Sequence, residues 1–191
     1  MLRLMLLAAL ATPLAAQTEL TCPFRGTAEA VRERPSALDS LAFQVGSAQV
    51  KVCFGRPNAR GRTMIGGDAV PFGRIWRTGA NETTKIRSTG PLVIAGIAVP
   101  AGTYAIYTVP GETEWQVVVN RAWEQWGHER MYTAEVEAQE VARATVPVER
   151  LADHVETFTI RTERTSGGVT LILEWEHTRI RIPLAAGSSS E

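Results

Sequence analysis

Between Phe54 and Glu82 the chain carries Arg56, Arg60, Arg62, Arg74, Arg77, Asn81 and Glu82 on glycine-punctuated sequence. Guanidinium groups are permanent cations whose planar forks match carboxylate and phosphate oxygens. Asn81 adds a neutral donor and acceptor, Glu82 adds a carboxylate, and Trp76 lies in the middle of the group. Such groups on tight loops between strands are the raw material of a pocket. The predicted ligand-binding set is Arg56, Arg62, Trp76, Arg77, Thr78, Asn81, Glu82 and Trp126, with the tryptophans as stacking walls. Its ligand would be a small polar or anionic molecule, a glycan fragment among the candidates.

Two other readings of the same residues stay open. Glu82 is the candidate catalytic residue if there is chemistry, because a carboxylate in an enclosed site can be raised towards neutrality and act as a general base. Arg77 would then be the electrostatic stabiliser. Glu174, Glu129 and His128 are the available second titratable groups. Alternatively Arg77 and Glu82 satisfy each other and nearby loop carbonyls under Trp76, a clamp that only holds the fold. A structural, envelope-associated module would need nothing more.

Other chemistries find little support. His128, His154 and His177 are the only histidines, far apart in sequence and outside any two-histidine motif, so neither a metal site nor a cofactor is predicted. A Gly-x-Ser-x-Gly elbow, a P-loop and a dinucleotide fingerprint are absent. The remaining tryptophans, Trp115, Trp123 and Trp175, suit packing better than carbohydrate stacking.

The elements that must position these residues alternate with a period of two. Phe43, Val45, Val50 and Val52 suggest a hairpin around Gly46-Ser47, and Leu92 to Ile94 a short strand. Tyr104–Val109 and Trp115–Asn120 flank Pro110-Gly-Glu-Thr113, a four-residue hairpin loop. That loop sets Tyr104, Ile106 and Thr108 opposite Val119, Val117 and Trp115. Residues 155–162 and 169–173 also suit strands. Beyond them, a two-residue turn at His177-Thr178 would pair Trp175 with Ile180, Leu173 with Ile182 and Leu171 with Leu184. Glu176 would then face Arg179, and Glu174 would face Arg181. A bulged, continuous strand is the rival. Only residues 28–33 and 132–139 suit helical turns. Many short strands with frequent turn signals predict an all-β, antiparallel β-sandwich or partly open barrel with one or two short helical turns.

The N-terminus has the plan of an export signal: Arg3, an apolar stretch from Leu4 to Leu10, and small residues up to a cleavage point after Ala16. The predicted organisation is a signal peptide over 1–16, an irregular segment over 17–34, one β domain over 35–184, and a disordered tail over 185–191. Removing 16 of 191 residues leaves 175, enough for a single core. Without Arg3 the chain has 19 basic and 20 acidic side chains, a net charge of about −1. That balance argues against nucleic acid or an anionic membrane as a partner held by bulk charge. No apolar run approaches the roughly 20 residues of a membrane-spanning helix. The expected location is periplasmic or extracellular, without a transmembrane anchor. Among the 20 basic residues only Lys51 and Lys85 are lysine. Cys22 and Cys53, the only cysteines, are predicted to form a disulfide in an exported chain. Two free thiols are the alternative.

Several of these stretches resemble a known family. They are Phe54-Gly-Arg-Pro through Gly61-Arg62, Val70-Pro-Phe-Gly-Arg-Ile-Trp-Arg-Thr-Gly-Ala-Asn-Glu82, Pro100-Ala-Gly-Thr-Tyr104, Val109-Pro-Gly111 with Trp115, Asn120, Gln125-Trp-Gly127 and Leu173-Glu-Trp175. Together they are similar to the bacterial domain of unknown function 2911, over about Pro35 to Pro183, with the stretch from Trp76 to Glu82 intact. The resemblance implies an exported, mainly β domain with no assigned activity. The cysteines and His128 are not part of that pattern.

Overall fold

A computed structural model describes residues 20–188. The predicted signal peptide, residues 17–19 and the last three residues lie outside them. After a short helix α1 (Ala28–Arg32), capped by Thr27 Oγ1 on the Ala30 amide, come β1 (Ala37–Val45), β2 (Ala48–Arg56) and β3 (Thr84–Ser88). Then follow β4 (Leu92–Ile94), β5 (Ile97–Val99), β6 (Gly102–Val109) and β7 (Glu114–Asn120). A 3-10 turn (Glu129–Met131) and helix α2 (Ala134–Glu137) lead into two long strands, β8 (Glu140–Thr165) and β9 (Gly168–Ala186).

All nine strands pair antiparallel in the order β1-β2-β3-β6-β7-β8-β9-β4-β5. The chain is therefore all-β. The two ends of β8 have different partners: Glu140–Pro147 pairs with β7, and Val148–Thr165 pairs with β9. The register of β8 on β9 shifts on either side of Val155. Such bulges bend a strand, and here the sheet folds over on itself into a sandwich rather than closing into a barrel.

The core lies between the two halves and draws on both. Val50, Val52 and Phe54 of β2, Ile86 of β3 and Val117 and Val119 of β7 meet Phe158 and Ile160 of β8 and Leu171, Leu173 and Trp175 of β9. Trp76 lies among the aromatics, stacked on Trp175 at 5.8 Å and edge-on to Phe158 and Trp115. On the opposite face of β6 and β7, Ala105, Tyr107 and Val118 form a second small cluster under Ile75, Trp123 and Tyr132.

The Gly46-Ser47 hairpin is present, with Val45 opposite Ala48. So are the Leu92–Ile94 strand and both helical turns. In the β6–β7 hairpin Ile106 faces Val119 and Thr108 faces Val117, a shift of two residues from the expected register. A two-residue slip keeps each side chain on its face, so the alternation could not detect it. The His177-Thr178 turn does not form. The chain runs straight on as β9, and Glu176 takes a left-handed φ of 51°. This irregular step moves the buried series from Leu171, Leu173 and Trp175 to Ile180, Ile182 and Leu184, the phase change that a turn also explains. The charges pair differently as well. Glu174 takes Arg161 and Arg179, while Arg181 takes Glu149 and Glu163. Ala185 and Ala186, placed in the tail by sequence, extend β9 against Val93 and Leu92.

Candidate functional site

Residues 73–83 cross the end of β6 beyond the point where β3 stops. Trp76 exchanges two backbone hydrogen bonds with Thr108, at 2.7 and 2.9 Å. The chain then reverses sharply: Thr78 (φ 57°), Gly79 (φ 153°) and Asn81 (φ 65°) all have positive φ. A β-branched residue in the left-handed region is strained and needs enforcement from its surroundings. Thr78 is fully buried, its hydroxyl 3.1 Å from that of Thr108, and its carbonyl accepts from Thr84 Oγ1 at 2.5 Å. Gly55 admits the turn, because a Cβ there would lie 2.1 Å from the Ala80 carbonyl oxygen.

The reversal distributes the predicted site residues to three places. Arg56 faces β8, donating to the Phe158 carbonyl and Thr159 Oγ1 and pairing with Asp39. Arg62 closes its own loop by donating to the carbonyls of Ala59 and Asn58. These two are fold staples.

Asn81 and Glu82 face the N-terminal segment. Asn81 Nδ2 donates to the Ser36 carbonyl at 2.9 Å. Glu82, 6% exposed, accepts from Lys85 Nζ on one oxygen at 2.7 Å. Its other oxygen accepts from the Arg25 amide at 2.7 Å and from both terminal nitrogens of Arg34 at 3.2 Å. Burial by itself would raise the Glu82 carboxyl, but the hydrogen bonds from Lys85, the Arg25 amide and Arg34 outweigh it and hold the group below the usual carboxylate range. A raised pKa is what a general base needs, and the hydrogen bonds at Glu82 act in the opposite direction. Lys85 also donates to the Pro23 carbonyl, and Cys22 is bonded to Cys53, as expected. Residues 22–36 thus form a strap laid over Glu82.

Arg77 and Trp76 make the third group. Arg77 does not pair with Glu82. Its Nη1 donates to the carbonyls of Asn81 (2.6 Å) and Trp126 (3.2 Å), while Nε and Nη2 donate to nothing among the described residues. Desolvation lowers the Arg77 pKa, opposed by the Tyr107 hydroxyl nearby. Tyr107 is itself pushed up to about 12 by burial, with Arg77 pulling the other way. Gly127 lets the Trp126 loop close on Arg77: its φ is +70°, and a Cβ there would meet Thr83 Cγ2 at 2.2 Å and Arg77 Cβ at 2.8 Å. Thr83 Oγ1 beneath is buried without a hydrogen-bond partner.

Beside Arg77 opens a cleft of about 380 Å³, walled by Trp76, Trp175, Met64, His128 and Glu129. Trp126, 36% exposed, carries Arg34 at 5.5 Å and Arg25 at 6.0 Å from its ring centroid. Of the cations near this motif, Arg34 and Lys85 pair with the single carboxylate Glu82, Arg25 reaches it only through its backbone amide, and Arg77 bonds to carbonyls alone. No group of three or more His, Cys, Asp or Glu suited to a metal ion occurs among the described residues.

Sequence reasoning missed Arg25, Arg34 and Lys85. The strap residues carry no local signal, since only the fold brings them to Glu82. Lys85 did offer one: a rare lysine in an arginine-dominated chain, three residues from the carboxylate it pairs with.

The fold and this site define an all-β sandwich with a cleft beside Arg77, lined also by Asp68 and Glu129, and a disulfide-tethered strap. The chain belongs to the protein family of unknown function DUF2911, whose model matches residues 36–184. No curated protein and no solved structure matches it. Among the described residues no helix is long and apolar enough to cross a membrane.

Proposed function

We propose that this protein binds a small anionic molecule, a carboxylate or phosphate, in the cleft beside Arg77, with Trp76 and Trp175 in its wall. One observation carries the reading: Arg77 is a half-buried cation with two unengaged nitrogens and no carboxylate partner among the described residues. Holding a desolvated guanidinium without a counter-ion is costly to a fold, and a bound anion would supply the missing charge. A cleft of about 380 Å³ suits a small ligand. Export to the periplasm or beyond belongs to the same reading, supported by the Cys22–Cys53 disulfide.

The test is a calorimetric titration of the mature protein and Arg77→Met with inorganic phosphate and with citrate. Loss of one partner of a desolvated charge pair costs about 2–5 kcal/mol, so Arg77→Met should weaken binding roughly 30-fold or more. Equal affinity in the two proteins, or no binding of either anion, overturns the reading.

A further inference from the structure

Two histidines separated by 23 residues in sequence meet on the outside of the sandwich. His154 lies in β8 within the register shift between Arg150 and Val155, and His177 follows the left-handed Glu176 in β9. Their ring centroids are 5.4 Å apart, with ring planes inclined by 68°. Regular pairing of the two strands would give this stretch an uninterrupted register. Instead both strands are irregular at the same level, and bulges characteristically re-aim side chains.

The tautomer of His177 is set by its neighbour. Its Nδ1 lies 3.2 Å from the Leu151 carbonyl oxygen, which can only accept, so Nδ1 carries the proton. In the neutral ring the lone pair is then on Nε2. A backbone carbonyl on one imidazole nitrogen is the usual outer partner of a metal-binding histidine, because it fixes the ring and makes the other nitrogen a better donor. His154 is exposed, so its ring is free to turn towards a shared ion.

We propose that His154 and His177 form a two-imidazole site for a divalent first-row transition ion, copper(II) foremost. With metal–nitrogen bonds of about 2.1 Å, each ring centroid stands about 3.2 Å from the ion, and two cis rings, at the right angle of tetragonal copper(II) or the wider tetrahedral angle, are roughly 4.5–5.2 Å apart. The observed 5.4 Å is close to that separation. Imidazole nitrogen suits copper, nickel and zinc, and the order of affinities places copper(II) first. No third His, Cys, Asp or Glu joins the pair among the described residues, so water or an external ligand fills the other positions. The Glu176 carboxylate is already engaged, accepting from the amides of Met64 and Ile65 at 3.0 and 2.7 Å.

The experiment is a copper(II) chloride titration of the mature protein in a non-coordinating buffer near neutral pH, followed by calorimetry and electron paramagnetic resonance. His154→Gln and His177→Gln are measured beside it, with far-ultraviolet circular dichroism to check folding. One ion per chain with hyperfine splitting from two nitrogens is expected. Each substitution should weaken binding at least about tenfold, since even an outer partner of a ligand commonly contributes that much. Fewer than two coupled nitrogens, or a smaller loss in either folded variant, overturns the proposal.

Discussion

Two charged regions of this molecule use the same residue types to opposite effect. On the outer side of β8 and β9, Arg161, Arg179 and Arg181 meet Glu149, Glu163 and Glu174 in a ladder where every arginine has a carboxylate and the total charge cancels. Around Glu82, one carboxylate serves Arg34 and Lys85, and Arg77 is left with carbonyls only. The ladder's arginines stay 25–42% exposed in their side chains, while Lys85 and Glu82 are 5% and 8% exposed. Ion pairs in water are weak because solvent already stabilises each charge, whereas buried charges depend on their partners. Abundance of arginine therefore says little about function. The balance and burial of its partners say much more.

The comparison is broken most directly at Glu82. Glu82→Gln leaves Lys85 buried without its counter-ion, and urea unfolding should show a loss of about 3–5 kcal/mol. A loss under 1 kcal/mol would reduce this region to another surface ladder. The same residue also gives an acid signature. The folded-state pKa of Glu82 is depressed, so its contribution is present above the ordinary carboxylate range and disappears as pH falls through that lower folded value. Glu82→Gln should flatten the acid limb of the stability curve, and an unchanged limb would assign it to other carboxylates.

Next in size is the tether. Replacing both Cys22 and Cys53 by alanine opens a link between residues 31 apart, worth about 3.7 kcal/mol in the chain-entropy model. Proteolysis should then cut first within residues 22–36, and protection of that strap would show that Glu82 and Asn81 hold it unaided.

At the ladder, Arg179→Met should cost less than about 1 kcal/mol and lose even that at high salt. The smallest effect separates Arg77 from both regions. Arg77→Met removes a desolvated cation with no carboxylate partner, so thermal unfolding should be unchanged or slightly raised. A drop of several degrees would instead make Arg77 a structural clamp.

Pattern and chemistry in the chain were enough for the all-β class, the first hairpin, the short helical turns and the Cys22–Cys53 bond. Period-two alternation and turn residues are local, and a strand needs only its own sequence to declare which side chains share a face. The β6–β7 register escaped because a two-residue slip preserves the alternation that was read, and for β9 a turn and a bulged, continuous strand change its phase alike, so the alternation left both open. Arg77 and Glu82, five residues apart, belong to different sites because Thr78, Gly79 and Asn81 turn the chain between them. Besides the neighbouring Lys85, Glu82's partners Arg25 and Arg34 come from 57 and 48 positions away, beyond any local rule. Charge pairing is decided by distance through space and by what excludes water, and those are properties of the folded sandwich alone.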